Sequence, residues 1–95
     1  MPTFIMLTKL TEEGRKTLSE NPKRLEEVNK EVEDMGIKIV KQYAVLGPYD
    51  FVNIIEAPDN EAIARLAVVI GSRGTIEPLT LPAISIDKFV EMFKK

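Results

Sequence analysis

The strand-like segments of this chain have no polar side. Phe4-Ile5-Met6-Leu7 and Phe51-Val52-Asn53-Ile54-Ile55 are apolar at nearly every position. Successive side chains of an extended segment point to opposite faces, so a sheet made from these residues is apolar on both. If Ile5, Leu7, Ile37, Ile39, Val52 and Ile54 point at covering helices, then Phe4, Met6, Val40, Ala44, Phe51 and Ile55 form a second face. That face also needs a cover. On a chain of 95 residues the economical one is the same face of a second copy, related by a two-fold axis. The expectation is a homodimer built sheet to sheet, with association of dimers into a higher oligomer left open.

The order of elements follows from periodicity and stop signals. A strand begins near Thr3 and ends near Leu10, where Thr11, followed by Glu12 and Glu13, is a good helix N-cap. Asn21-Pro22 interrupts that helix, with Asn as a cap and Pro in the first turn of the next one. In the second helical run Leu25, Val28, Val32 and Met35 form one apolar stripe, and Gly36 supplies a left-handed stop. Strands over 37–46 and 50–57, joined around Gly47-Pro48, form a hairpin. Pro58-Asp59-Asn60-Glu61 closes the second of these strands and caps a helix that runs to Gly71, and a last strand covers 75–84, where Pro78 and Pro82 imply an edge position or breaks in the ladder. Asp87 can cap a short terminal helix carrying Phe89, Val90 and Phe93. The order β-α-β-β-α-β plus a terminal helix predicts one α+β domain over 1–95, of the ferredoxin-like split βαβ type.

Composition removes much of the catalytic repertoire. The chain has no cysteine and no histidine, so it has no disulfide, thiol nucleophile or neutral-pH imidazole base. No metal site and no cofactor are expected. With 13 basic and 15 acidic residues the net charge is −2, which argues against nucleic acid, whose affinity rests on clustered Lys and Arg. The start MPTFIMLTKLTEE has no basic stretch before its apolar run and no segment reaches membrane-spanning length, so the expectation is cytoplasmic, with no membrane partner.

The polar residues worth weighing are few. Tyr49 and Asp50, directly after Gly47-Pro48, can act as acid and base if a pocket shifts their pKa values. They serve equally as turn and packing residues. Gly71-Ser72-Arg73-Gly74 can hold an anion through consecutive N–H groups and the guanidinium of Arg73, or can simply end a helix. Thr8, Gln42, Tyr43, Asn53 and Thr80 are polar at strand positions otherwise held by apolar residues. Such groups fix the orientation of a small ligand in an apolar wall, or hydrogen-bond the sheet internally.

The segments LTKLTEEGR, LGPYDFVNIIEAPDNE and SRGTIEPLTLPA together resemble the GYD-domain family of small bacterial and archaeal proteins. Gly47, Tyr49 and Asp50 match the motif behind its name, with Pro48 at the variable position. The resemblance implies a ferredoxin-like fold of the dimeric α/β-barrel type and transfers no catalytic residue. More distantly, the chain is similar to the effector-binding domain of Lrp/AsnC regulators, where a comparable turn precedes the third strand. It is also similar by fold to antibiotic-biosynthesis-type monooxygenases, whose histidine-containing sites have no counterpart here.

The leading functional expectation is a homodimeric module, ligand-binding or regulatory, holding a small metabolite, anionic or neutral, near Gly47, Tyr49, Asp50 and Asn53, with Gln42, Tyr43 and Arg73 as further contacts. One alternative is a cofactor-independent enzyme of the monooxygenase or isomerase kind using Tyr49 or Asp50. The other is a protein-interaction module.

Overall fold

A computed structural model describes residues 1–94. The elements are β1 (Thr3–Leu10), α1 (Glu12–Glu20), α2 (Arg24–Asp34), β2 (Lys38–Ala44), β3 (Phe51–Glu56), α3 (Asn60–Gly71), β4 (Ile76–Ala83) and α4 (Ile86–Glu91). The four strands form one antiparallel sheet in the order β2-β3-β1-β4, with α1, α2 and α3 on one face. This is the ferredoxin-like arrangement expected from the element order.

Local signals account for most boundaries. The Thr11 hydroxyl accepts from the Gly14 N–H at 3.0 Å and starts α1. Asp59 caps α3 through the Ala62 N–H at 2.8 Å. Gly36 takes φ 84° after α2, a conformation that costs glycine little. Two caps differ from expectation. Asn21 closes the end of α1 through its backbone N–H rather than opening α2 with its side chain. Ser85, not Asp87, caps α4, because only its hydroxyl sits one turn before the Lys88 N–H.

The helix-covered face also differs from expectation. On β1 and β3 it carries Phe4, Met6, Thr8, Phe51, Asn53 and Ile55, while Ile5, Leu7, Val52 and Ile54 turn to the open face. Both sets of alternates are apolar, so a period of two separates them without saying which set is inside. On β2, Ile37 and Ile39 do face the helices, but the strand then changes phase. Ile39 pairs with Ile55 and Lys41 with Ile54, so Val40 is an extra residue in a β-bulge. Strict alternation from Ile39 would have put Lys41 and Tyr43 under the helices; the bulge brings Gln42 there instead. Ala44 follows onto the same side, opposite Phe51.

The core consists of Phe4, Met6, Val32, Ile37, Ile55, Ala57, Ile63, Leu66 and Ile70. Full burial of a side chain such as Ile37, Ile55 or Leu66 contributes roughly 1.5–3 kcal/mol. The layers are unequal. α3 buries Ile63, Leu66 and Ile70, whereas α1 buries only Gly14 and α2 only Val32. α4 buries nothing.

Candidate functional site

Three regions bear on function: the GPYD hairpin, the space between sheet and helices, and the open sheet face. In the hairpin, Gly47 has φ 121°, which favours glycine, and the Val45 N–H donates to the Asp50 carbonyl at 2.9 Å to close the turn. The Asp50 N–H donates to the Thr8 carbonyl at 2.9 Å. Its carboxylate Oδ2 accepts from the Leu10 N–H at 2.7 Å. Pairing of β1 with β3 ends at Thr8 and Phe51, so Asp50 extends that edge by two residues with a charge-assisted bond. Tyr49 lines a shallow groove with Pro48, Lys9, Glu77, Pro78 and Leu79, which Asp50 does not line. The two neighbours in sequence do not converge on a common space.

Between the sheet and α1, α2 and α3 lies a cavity of about 150 Å³. Its walls are mainly aliphatic and aromatic, and a chain of amides runs along one side. Asn29 Nδ2 donates to Gln42 Oε1 at 2.8 Å, and Gln42 Nε2 donates to Asn29 Oδ1 at 3.1 Å and to Asn53 Oδ1 at 2.7 Å. Asn53 Nδ2 donates to the Met6 carbonyl at 2.9 Å and reaches Thr8 Oγ1 at 3.5 Å. The Val40 bulge makes this chain possible, since it delivers Gln42 to the helix side. Asn29 was not anticipated from sequence, although a signal exists: it stands inside the α2 stripe, four residues after Leu25 and three before Val32.

Arg73 also lines the cavity and bonds Glu31 of α2. Arg24 stands 3.9 Å from the same carboxylate and 3.2 Å from Glu27. The hydrogen bond from Arg73 holds the Glu31 carboxyl below the usual carboxylate range, against desolvation and with help from the charges of Arg73 and Arg24. The Ser72, Arg73 and Gly74 N–H groups donate to Val68, Ile70 and Gly71 carbonyls, closing the end of α3.

Of the polar residues singled out in the sequence, the cavity therefore gathers Thr8, Gln42, Asn53 and Arg73. Gly47, Tyr49 and Asp50 lie outside it, and Tyr43 lies on the open face, half exposed. Thr80 stands opposite Met6, its hydroxyl buried and without a hydrogen-bond partner among the described residues.

The open face has a clear pattern. Two cross-strand rows, Tyr43-Val52-Leu7-Leu79 and Lys41-Ile54-Ile5-Leu81, are apolar except at Lys41. At one end Lys38 stands opposite Glu56, and at the other Lys9 stands opposite Glu77. Leu79 and Leu81 are 44% and 45% exposed. Beyond β4, Ile84, Ile86, Phe89, Val90, Met92 and Phe93 are also exposed.

The family model of the GYD domain matches residues 4–93. The chain belongs to the GYD-domain family. This GYD domain is 50% identical over 95 residues to the "Glutamine synthetase and cystathionine beta-lyase binding protein" of Thermus thermophilus, a match covering 99% of this chain and 100% of that protein. Its fold is similar to the crystal structure of TTHA0845, also from Thermus thermophilus, with a TM-score of 0.58 and 22% identity over 90% of this chain and 95% of that one. At that identity the likeness concerns the fold alone. No helix among the described residues is long and apolar enough to cross a membrane.

Proposed function

We propose that this GYD domain is a homodimeric regulatory module that acts by docking on metabolic enzymes in the cytoplasm. The observation that carries this reading is the relative that is 50% identical along its full length and is named for binding glutamine synthetase and cystathionine beta-lyase. Those two enzymes are the first candidate partners here.

The physical support for self-association lies in the contrast between edges and face. β4 is one edge, and Pro78 and Pro82 leave it with no N–H to offer at two positions. β2 is the other edge, interrupted by the Val40 bulge and carrying Lys38 and Lys41. Both edges resist strand addition, while the face between them is an apolar band with charged ends, the pattern of an interface core and its rim. A two-fold axis through that band covers it, and leaves the exposed α4 segment and the helix layer for a partner. The regulatory part of the reading includes a small ligand, supported by the cavity, since a purely adhesive module needs no internal space.

Light scattering and binding measurements test this reading. The protein is expected at twice the chain mass at micromolar concentration, with Leu7→Lys dissociating it to monomer. Immobilised protein is expected to capture purified glutamine synthetase and cystathionine beta-lyase from the same organism. Absence of binding to both enzymes at concentrations well above micromolar would rule out docking as the function.

A further inference from the structure

The cavity between sheet and helices has a composition that selects a class of ligand. Its volume, about 150 Å³, is that of an engineered apolar cavity which stays dry and takes up benzene, so it suits one ring or a short branched chain. Met6, Leu25, Val28, Phe51, Ile55 and Leu66 are among the apolar residues of its wall. This surface favours an apolar body.

The polar side of the cavity is neutral and nearly saturated. Both N–H bonds of Gln42 and of Asn53 are engaged, and each of the three amide oxygens accepts at least one bond. What remains is the second N–H of Asn29, the hydroxyl proton of Thr8 and spare lone pairs on the amide oxygens. That capacity matches one hydrogen-bonding group on a ligand, not a zwitterion or a dicarboxylate.

Charge at the rim points the same way. The only cations among the lining residues, Arg24 and Arg73, face the carboxylates of Glu27 and Glu31, two positive groups against two negative. A carboxylate entering the cavity would lose its hydration without gaining a free cation, a heavy cost in an apolar site. A neutral molecule meets no such barrier. The covering layer is lightly held, which opens a way in: α1 and α2 bury one residue each, and Glu31 to Arg73 ties α2 to the loop after α3.

We propose that this cavity binds a compact uncharged ring compound bearing one hydrogen-bonding group, of the size of phenol, directed at the Thr8, Asn29 and Asn53 side. The proposal rests on the small-ligand part of the function given above and names its chemistry. It does not depend on which enzymes the module docks on.

Two-dimensional ¹⁵N–¹H spectra of the full chain, titrated separately with phenol, cyclohexanol and benzoate, test it. Phenol and cyclohexanol should cause saturable shifts in the side-chain NH₂ signals of Asn29, Gln42 and Asn53 and in the backbone signals of Thr8 and Phe51. Benzoate should cause none. Val28→Phe, which fills the cavity, should weaken phenol by about tenfold or more while keeping a dispersed spectrum. If that variant does not fold, Leu25→Phe serves in its place. Shifts confined to the open face around Tyr43 and Leu79 would overturn the site. Binding of benzoate alone would overturn the ligand class but leave a small-ligand module standing, and no saturable shift with any of the three would overturn both.

Discussion

Replacing Gly14 by alanine places a methyl group 2.0 Å from the carbonyl oxygen of Thr75. A carbon–oxygen contact under 3.0 Å does not persist, so the first turn of α1 and the 74–75 segment must separate by about 1 Å. The same two segments are joined by the Thr11 N–H to the Thr75 carbonyl at 3.0 Å and by the Thr11 hydroxyl to the Gly74 carbonyl at 2.8 Å. The obstacle is backbone, so no rotamer change relieves it. Overpacking of this kind costs about 1–3 kcal/mol, and weakening the two hydrogen bonds adds about 1 kcal/mol. The higher helix propensity of alanine returns at most about 1 kcal/mol, and less in a first turn than in a helix interior. The net expectation is a loss of roughly 2 kcal/mol from a stability of about 5–10 kcal/mol. For a chain of this length a urea m-value near 1 kcal/mol/M turns that loss into a midpoint lowered by about 2 M. Urea unfolding followed by circular dichroism at one fixed protein concentration measures it, because self-association would shift the midpoint with concentration. Ser19→Ala, on the exposed side of the same helix, is the control. A Gly14→Ala midpoint equal to or above wild type would refute the steric argument.

Three further outcomes follow from the hydrogen-bond and charge network. Asp50→Ala removes the acceptor of the Leu10 N–H and should cost about 1–2 kcal/mol in urea unfolding, with Asp50→Asn, which keeps an amide oxygen, losing less. Asn53→Leu preserves bulk but leaves one of the two Gln42 N–H bonds without its acceptor and takes a donor from the Met6 carbonyl, and should cost about 2–3 kcal/mol, with the Asn29 and Gln42 side-chain signals displaced in NMR spectra. Glu31 has a lowered pKa in the folded chain, so its contribution is present above the ordinary carboxylate pKa and is lost as pH falls through the folded value. The urea-midpoint gap between wild type and Glu31→Gln should therefore be small at neutral pH, as expected for an exposed pair, and vanish on acidification; a gap that widens at low pH would contradict the assignment.

Much of the fold was legible in the residues because the signals are local. Thr11 and Asp59 cap their helices through bonds only three residues long, and Gly36 ends α2 by a conformation that other residues avoid. Pro78 and Pro82 announced an edge strand because proline has no N–H to pair. The candidate cavity was legible only in part. Gln42 and Asn53 stood out as polar residues among apolar ones, but Asn29, which completes the chain by pairing with Gln42, lies 13 residues from it on a different element.

Sequence by itself determined the order of elements, the ferredoxin-like topology, membership of the GYD-domain family and the presence of two apolar sheet faces. Only the tertiary structure decided which face of β1 and β3 the helices cover, since a period of two is symmetric under exchange of faces when both are apolar. It also decided the phase of β2, where one extra residue at Val40 moves Gln42 inward and Tyr43 outward. The same packing gave the GPYD hairpin its role, because the Asp50 carboxylate meets the Leu10 N–H, 40 residues away, only after the strands have paired.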